Sequence, residues 1–334
     1  MKKDPHSLIP HLDNLYRAGF ARLTPPTAKI FPAWQSRKRA ELRNMLAVPT
    51  LRVLRARARG KRMRGDVHIT ILDLSLSDGT MMTVYRGELA HPKVPYRPLL
   101  MYHGHSDGAQ TLFGFKMTKA RQDYALEFVR RGYTVFAPDQ RGFGRRLGPS
   151  PVFYGGYTRS CRQVAFDLLL LGKTILGERV GDAMALADWV RKESATKTPC
   201  VVTGNSGGGT VALLHAALDT RVDAAMVGSA FCPFKASIME LPHCECNYIP
   251  GLLQSFREIW EVGALLAPRP LLIVHGKKDP IFPARATRQA VAELVRYYAL
   301  AGAKSASVAV HVHSGAHWYD HGKVFSFLDG LKRV

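Results

Sequence analysis

No run of apolar residues in this 334-residue chain approaches the roughly 18 that a membrane-spanning helix needs, so no membrane span is expected. Cysteine is scarce: five residues, at 161, 200, 232, 244 and 246, make an odd number scattered through a long chain. That excludes the dense, even pattern of a disulfide scaffold, and free thiols are the expectation. No apolar leader is expected either. Met1-Lys2-Lys3-Asp4-Pro5-His6 starts basic, but Pro5, Pro10 and Asp13 interrupt the stretch where a signal peptide would carry its apolar region, so a cytoplasmic location is expected. Acidic residues are few, 26 against 47 Lys and Arg, which leaves a formal charge of +21. With 46% hydrophobic positions the chain has enough apolar side chains for one large core, and extensive disorder is excluded.

The positive charge is concentrated. Residues 1–65 hold 16 basic residues and only three acidic ones (Asp4, Asp13, Glu41), a net of +13. The densest part is Arg52, Arg55, Arg57, Arg59, Lys61, Arg62 and Arg64. Such a segment could meet nucleic-acid phosphates, an acidic lipid surface or an acidic partner. It has no interleaved aromatics and no nucleic-acid-binding motif, so a solvated helical face and linker is the better reading.

Residues 12–64 read as helices with basic faces. The division expected is an amino-terminal helical extension over 1–65, covering part of an active-site mouth, and a catalytic domain over 66–334. From residue 66 short β-branched and apolar runs alternate with longer amphipathic stretches, the pattern of a mostly parallel sheet covered by helices. There is no internal repeat. Val67–Leu74 and Met81–Tyr85 alternate as an antiparallel hairpin joined through Ser77-Asp78-Gly79. Six compact runs of the buried-strand type follow, at 98–102, 133–137, 200–203, 224–227, 271–274 and 309–312, making eight strands. Helices are predicted over 120–130, 165–191, 208–218, 283–301 and 323–331.

The strongest local signal is Cys200-Val-Val-Thr-Gly204-Asn205-Ser206-Gly207-Gly208-Gly209, a buried strand running through Gly-x-Ser-x-Gly into a helix. This is the context of a nucleophile elbow, in which a strained turn lifts the serine hydroxyl above the sheet and leaves room only for glycine nearby. A serine is a poor nucleophile at neutral pH, so it needs a histidine base, which needs a carboxylate to fix its tautomer. In this arrangement the order is Ser, acid, His. Asp279, in the loop after Leu271-Leu-Ile-Val-His275, suits the acid. His317, beyond the last strand in Ser314-Gly315-Ala316-His317, suits the base. His311 and His313 share one strand face and read as structural, and His321 is the remaining competitor. The oxyanion donors expected are the backbone N–H groups of Gly207 and of His105, the latter in the loop after the third strand.

Two ligand-like groupings read as incomplete. His103 and His105 lie two apart with no spaced partners, and Cys244-x-Cys246 beside His243 lacks the second half of a zinc site. No metal and no cofactor are expected. Phe231, Cys232, Pro233, Tyr248, Trp260 and Trp318 lie where they could line the mouth of a pocket.

Taken together, these residues resemble the α/β-hydrolase superfamily over roughly residues 66–334, and within it the dienelactone-hydrolase and acetyl-xylan-esterase-like branch. The likeness is carried by Tyr102-His-Gly-His105, Arg131-Gly-Tyr-Thr-Val-Phe-Ala-Pro-Asp139-Gln-Arg-Gly-Phe-Gly144, Gly204-Asn-Ser-Gly-Gly-Gly209, Cys246-Asn-Tyr-Ile-Pro-Gly251, Ala267-Pro-Arg-Pro270 and Asp279-Pro-Ile-Phe-Pro283. It implies an α/β-hydrolase fold and cofactor-free hydrolysis of carboxylic esters, often acyl groups on carbohydrates or small metabolites. Many dienelactone hydrolases use a cysteine where this chain has Ser206, which favours the esterase side. The expected partner is a small-molecule ester. Rival readings are an aminopeptidase or amidase with the same residues, for which no paired-glutamate anchor is present, and a binding protein acting through the basic amino-terminal segment.

Overall fold

A computed structural model describes residues 7–91, 97–116, 122–148, 160–194 and 200–331. The amino-terminal hexapeptide and the predicted helix start at Ala120 lie outside them. Nine strands form one sheet in the order β1-β2-β3-β5-β4-β6-β7-β8-β9. They are β1 (Val53–Arg64), β2 (Val67–Leu76), β3 (Met81–Leu89), β4 (Pro98–Tyr102), β5 (Thr134–Pro138), β6 (Val201–Asn205), β7 (Ala224–Gly228), β8 (Leu271–Gly276) and β9 (Val308–His313). β1, β2, β3 and β5 pair antiparallel; every pair from β5 through β4 to β9 is parallel. All eight expected strands are present. The ninth, β1, corrects the reading of 53–64 as helical.

That correction has a local cause. From Arg55 to Lys61 basic residues alternate with Ala56, Ala58 and Gly60, which is a period of two, but with charge where a core-facing strand would carry apolar side chains. β1 is an edge strand exposed along nearly all its length, so no buried face imposes apolar patterning. Its arginines present charge at the open edge and disfavour edge-to-edge pairing with another chain. Arg59 pairs with Asp73 at 3.2 Å, and the Arg62 and Arg64 guanidinium groups lie 5.0 and 5.2 Å from the Phe115 ring.

The helices are α1 (Ile9–Arg22), α2 (Phe31–Leu46), α3 (Ala125–Arg130), α4 (Ser160–Leu170), α5 (Ile175–Ser194), α6 (Gly207–Leu218), α7 (Leu252–Ser255), α8 (Ile259–Ala264), α9 (Ala284–Leu300) and α10 (Val324–Leu331). The single helix expected over 165–191 is two, broken at Gly172, whose φ of +70° glycine adopts without a Cβ penalty. Alternate strand residues feed two cores, as the two-residue period requires. Leu100, Tyr102, Val202, Val227 and Ile273 meet helices α2, α5, α6, α8 and α9 on one face. Leu99, Met101, Val201, Met226 and Val274 meet α3 and α10 on the other.

Helix α2 is part of the first core rather than an appendage, with Phe31, Trp34, Leu42 and Leu46 buried in it. The carbonyls at the carboxyl end of a helix have no intrahelical partner. Arg39 of α2 supplies donors, Nε to the Ala217 carbonyl at the end of α6 (2.9 Å) and Nη2 to that of Leu265 after α8 (2.9 Å). This is the end of α6 remote from Ser206.

Candidate active site

Strand β6 enters a turn at Ser206, whose φ of +57° and ψ of −127° lie in territory an L-residue rarely occupies, and α6 begins at the next residue. Ser206 N–H donates to the Gly228 carbonyl at 2.9 Å, anchoring the turn on β7. The flanking glycines are there because backbone passes too close for a side chain. A Cβ on Gly208 would overlap the Tyr102 carbonyl, and one on Gly204 the Gly208 carbonyl. A Cβ on Gly104 would come within 2.9 Å of the Asn205 carbonyl oxygen and 3.1 Å of Ser206 Cβ, so the loop after β4 lies directly against the serine.

The loops after β4, β6, β7, β8 and β9 all emerge at the carboxyl edge of the parallel strands, where α/β sheets bind ligands. There they surround a cavity of about 200 Å³ to which Gly104, His105, Ser206, Asn247, His317 and Trp318 contribute. Asp279, its side chain wholly buried, sits beneath His317 and accepts from His317 Nδ1 at 2.8 Å. Its other oxygen accepts the N–H groups of Ile281 (3.1 Å) and Phe282 (3.0 Å). Burial alone would raise the Asp279 pKa, but the His317 hydrogen bond and charge and these two amides outweigh it and hold the carboxyl below its ordinary value. The Phe282 ring stacks on the imidazole of His317 at 5.6 Å and 13°, fixing its plane. The structure thus brings Ser206, His317, Asp279 and His105 together. Gly207 opens α6 beside them, and a Cβ there would lie 3.6 Å from His105 Nδ1.

The competing histidines are engaged elsewhere. His321 Nε2 donates to the Tyr124 carbonyl at 3.2 Å, and its ring stacks on Phe325. His311 contacts Asp320 at 2.5 Å. His103 is buried, with Nδ1–H donating to the Gly104 carbonyl at 2.7 Å and Nε2 accepting Gln140 N–H at 3.1 Å. Both ring nitrogens are used, and burial pushes its pKa down to about 3, so His103 is a neutral brace for the loop that carries His105. Asp139 is a second brace, accepting the N–H groups of Ala109 (2.7 Å) and Arg145 (3.0 Å).

Of the six residues singled out for the pocket mouth, Trp318 alone lines this cavity; Phe231 and Trp260 are core, and Tyr248 borders a separate hollow. Among the described residues no part of 7–64 lines it, which corrects the expectation that the amino-terminal segment covers the mouth.

One grouping was not visible in the sequence. Cys244 and Cys246 do have a second half: Cys161, in the first turn of α4, lies 3.6 Å sulfur to sulfur from Cys244, and His105 Nε2 lies 3.3 Å from Cys246 Sγ. All four potential ligand atoms lie within 4.8 Å of one another. His243, the neighbour in sequence, turns away to Ser237 Oγ (3.0 Å) and the Ile281 carbonyl (3.2 Å). Hydrogen bonds from Cys161 and Cys244, with help from the Arg179 charge and His105, hold the Cys246 thiol well below its usual range, while Cys161 and Cys244 are pushed up.

Residues 99–320 match the model of the Alpha/beta hydrolase family. Over 197 residues the chain is 30% identical to YtaP of Bacillus subtilis (strain 168), a candidate hydrolase; the match covers 58% of this chain and 62% of that protein. Among solved structures, a candidate acetyl xylan esterase from Bacteroides fragilis NCTC 9343 superposes with a TM-score of 0.72 at 17% identity, covering 98% of this chain and 91% of that one. A glucuronoyl esterase from Solibacter usitatus gives 0.61 at 15% identity, covering 92% and 94%. At these identities the two structures speak for the fold.

Proposed function

The chain belongs to the α/β-hydrolase family, and on that premise we propose that it is a serine hydrolase cleaving carboxylic esters through an acyl-enzyme. The observation that carries this is the Asp279–His317 hydrogen bond beneath a cavity that the strained Ser206 also faces. With Nδ1–H committed to Asp279, His317 Nε2 is the basic nitrogen. It takes the Ser206 proton as Oγ attacks the ester carbonyl, and the backbone N–H groups of Gly207 and His105 receive the oxyanion. His317 then protonates the departing alcohol. Water, deprotonated by His317, attacks the acyl-serine, and the proton returns to Ser206 as the acid leaves. Asp279 stays ionised throughout, which its depressed pKa favours.

The cavity's size and lining support a small acyl group. At about 200 Å³ it lies below the usual volume of drug-sized sites, roughly 300–1,000 Å³. Among the described residues no carboxylate lines it, so a substrate ammonium group has no anchor there and the aminopeptidase reading loses its means of recognition. The esterase names of the structural neighbours accord with an acetyl or similarly short ester, on a carbohydrate or a small metabolite.

Fluorophosphonate labelling with peptide mapping tests this. The expected result is one adduct, on Ser206, lost in His317→Ala, together with turnover of short-chain aryl esters that Ser206→Ala abolishes. An adduct elsewhere, or undiminished turnover in folded Ser206→Ala, overturns the assignment.

A further inference from the structure

The Cys161, Cys244, Cys246 and His105 side chains converge from three segments far apart in the chain, and none has a role in acyl transfer through its side chain. We propose that they form a tetrahedral zinc site whose imidazole ligand is carried by the same loop that presents the His105 N–H to Ser206.

The geometry is that of a single-ion site. Zinc binds thiolate at about 2.3 Å and imidazole nitrogen at about 2.0–2.1 Å, so tetrahedral edges measure about 3.8 Å between sulfurs and about 3.6 Å between sulfur and nitrogen. Two edges here measure 3.6 Å and 3.3 Å, and none exceeds 4.8 Å. A disulfide requires sulfurs about 2.05 Å apart, and all five cysteines are free. Three thiolates and one imidazole around Zn²⁺ carry a net charge of −1, and binding the ion to three thiols and an imidazole releases three protons to solvent. A buried negative site needs a buried positive neighbour. Arg179, on α5 and 2% exposed, supplies it: its guanidinium is hydrogen-bonded to the Arg141 carbonyl (2.9 Å), and among the described residues no carboxylate pairs with it. It also lies over the Phe143 ring at 5.1 Å, and Phe143 packs edge-on against His105.

The consequence for the active site rests on the esterase reading; the metal site itself does not. Coordination through Nε2 confines the His105 proton to Nδ1, the ring atom facing Gly207, and ties the loop after β4 to α4 and to the Cys244–Cys246 loop. The ion holds the oxyanion loop in place, at the wall of the cavity that Cys244 and His105 share with Ser206.

The full chain, expressed with zinc supplementation and purified without chelator, is assayed for metal by inductively coupled plasma mass spectrometry. The expected content is one zinc per chain, lost in Cys161→Ser and in Cys246→Ser, and retained in Cys200→Ser and Cys232→Ser, whose thiols lie outside the cluster. Cobalt(II) added to the chelator-stripped wild-type chain gives thiolate-to-metal charge transfer and tetrahedral ligand-field bands, a readout independent of how the variants fold. Failure of esterase activity with zinc present would refute the catalytic reading and leave the site standing. A folded wild-type chain without metal and without the cobalt spectrum overturns the site. So does a Cys161–Cys244 disulfide in non-reducing peptide maps, or equal zinc loss from the Cys200 and Cys232 variants.

Discussion

Ser206 is held in a conformation that costs energy, and replacing it with glycine should make the protein more stable while destroying turnover. Its φ of +57° with ψ of −127° belongs to the sparsely populated regions that cost an ordinary residue about 1–3 kcal/mol. Glycine escapes that cost but loses more conformational freedom on folding, about 0.5–1 kcal/mol relative to alanine. Among the described residues the Ser206 hydroxyl makes no hydrogen bond, so removing it forfeits no internal partner. Alanine keeps the Cβ and therefore the strain, which makes Ser206→Ala the proper reference. The expected gain of Ser206→Gly over Ser206→Ala is about 0.5–2 kcal/mol, read as a higher guanidinium midpoint at unchanged slope. A Ser206→Gly midpoint below that of Ser206→Ala by the ordinary glycine penalty would show that the turn is unstrained, and the elbow argument would fail with it.

Asp279→Asn should lower kcat by about four orders of magnitude, because an amide cannot hold His317 in the productive tautomer; ester hydrolysis by the purified variant measures it. The folded pKa of Asp279 lies below its ordinary value of 3.8, so the stability it contributes is full above that value and lost as pH falls below it. Thermal midpoints of wild type and Asp279→Asn should therefore converge below about pH 4. Asp182 accepts from Arg141 (3.0 Å) and from Arg146, with the Asp182 and Arg146 side chains almost wholly buried. Asp182→Ala leaves buried guanidinium groups short of a counter-charge and should cost about 3–5 kcal/mol in denaturant unfolding; a loss under 1 kcal/mol would show the network to be solvated.

The parts legible in the sequence were those whose signal is local. Leu271-Leu-Ile-Val reads as a strand buried on both faces because nothing polar interrupts it, and Gly204-Asn-Ser-Gly-Gly-Gly209 reads as an elbow because its steric demands fall within six residues. Asp279 and His317 were found by their order after the serine, and they are hydrogen-bonded to each other in the structure. The cysteine–histidine cluster escaped because its contacts span 83 and 141 positions, and no pattern near Cys244 announces Cys161 or His105. β1 escaped for a different reason: an edge strand that buries no face has no apolar period to read, and its alternation of arginine with alanine passes for a charged helix.

The same misreading bears on what the first 65 residues do. As a detachable basic arm they could be removed without harm, and a truncated chain would keep its fold. The structure predicts the opposite. Phe31, Trp34, Leu42 and Leu46 of α2 are buried in a core shared with α5, α6, α7 and Tyr297 of α9, and at about 1.5–3 kcal/mol for each buried side chain they contribute about 6–12 kcal/mol. That is comparable to the whole stability of an ordinary domain, about 5–15 kcal/mol. Deletion would also leave the Ala217 and Leu265 carbonyls without Arg39 and strip β2 of its neighbour along Val53–Arg64, exposing a long strand edge. A chain beginning at residue 66 should therefore be insoluble or lack a cooperative unfolding transition, as circular dichroism and gel filtration would show. A soluble, cooperatively folded fragment would mean that the hydrolase core closes without α2, and that the amino-terminal charge is free to serve some other partner.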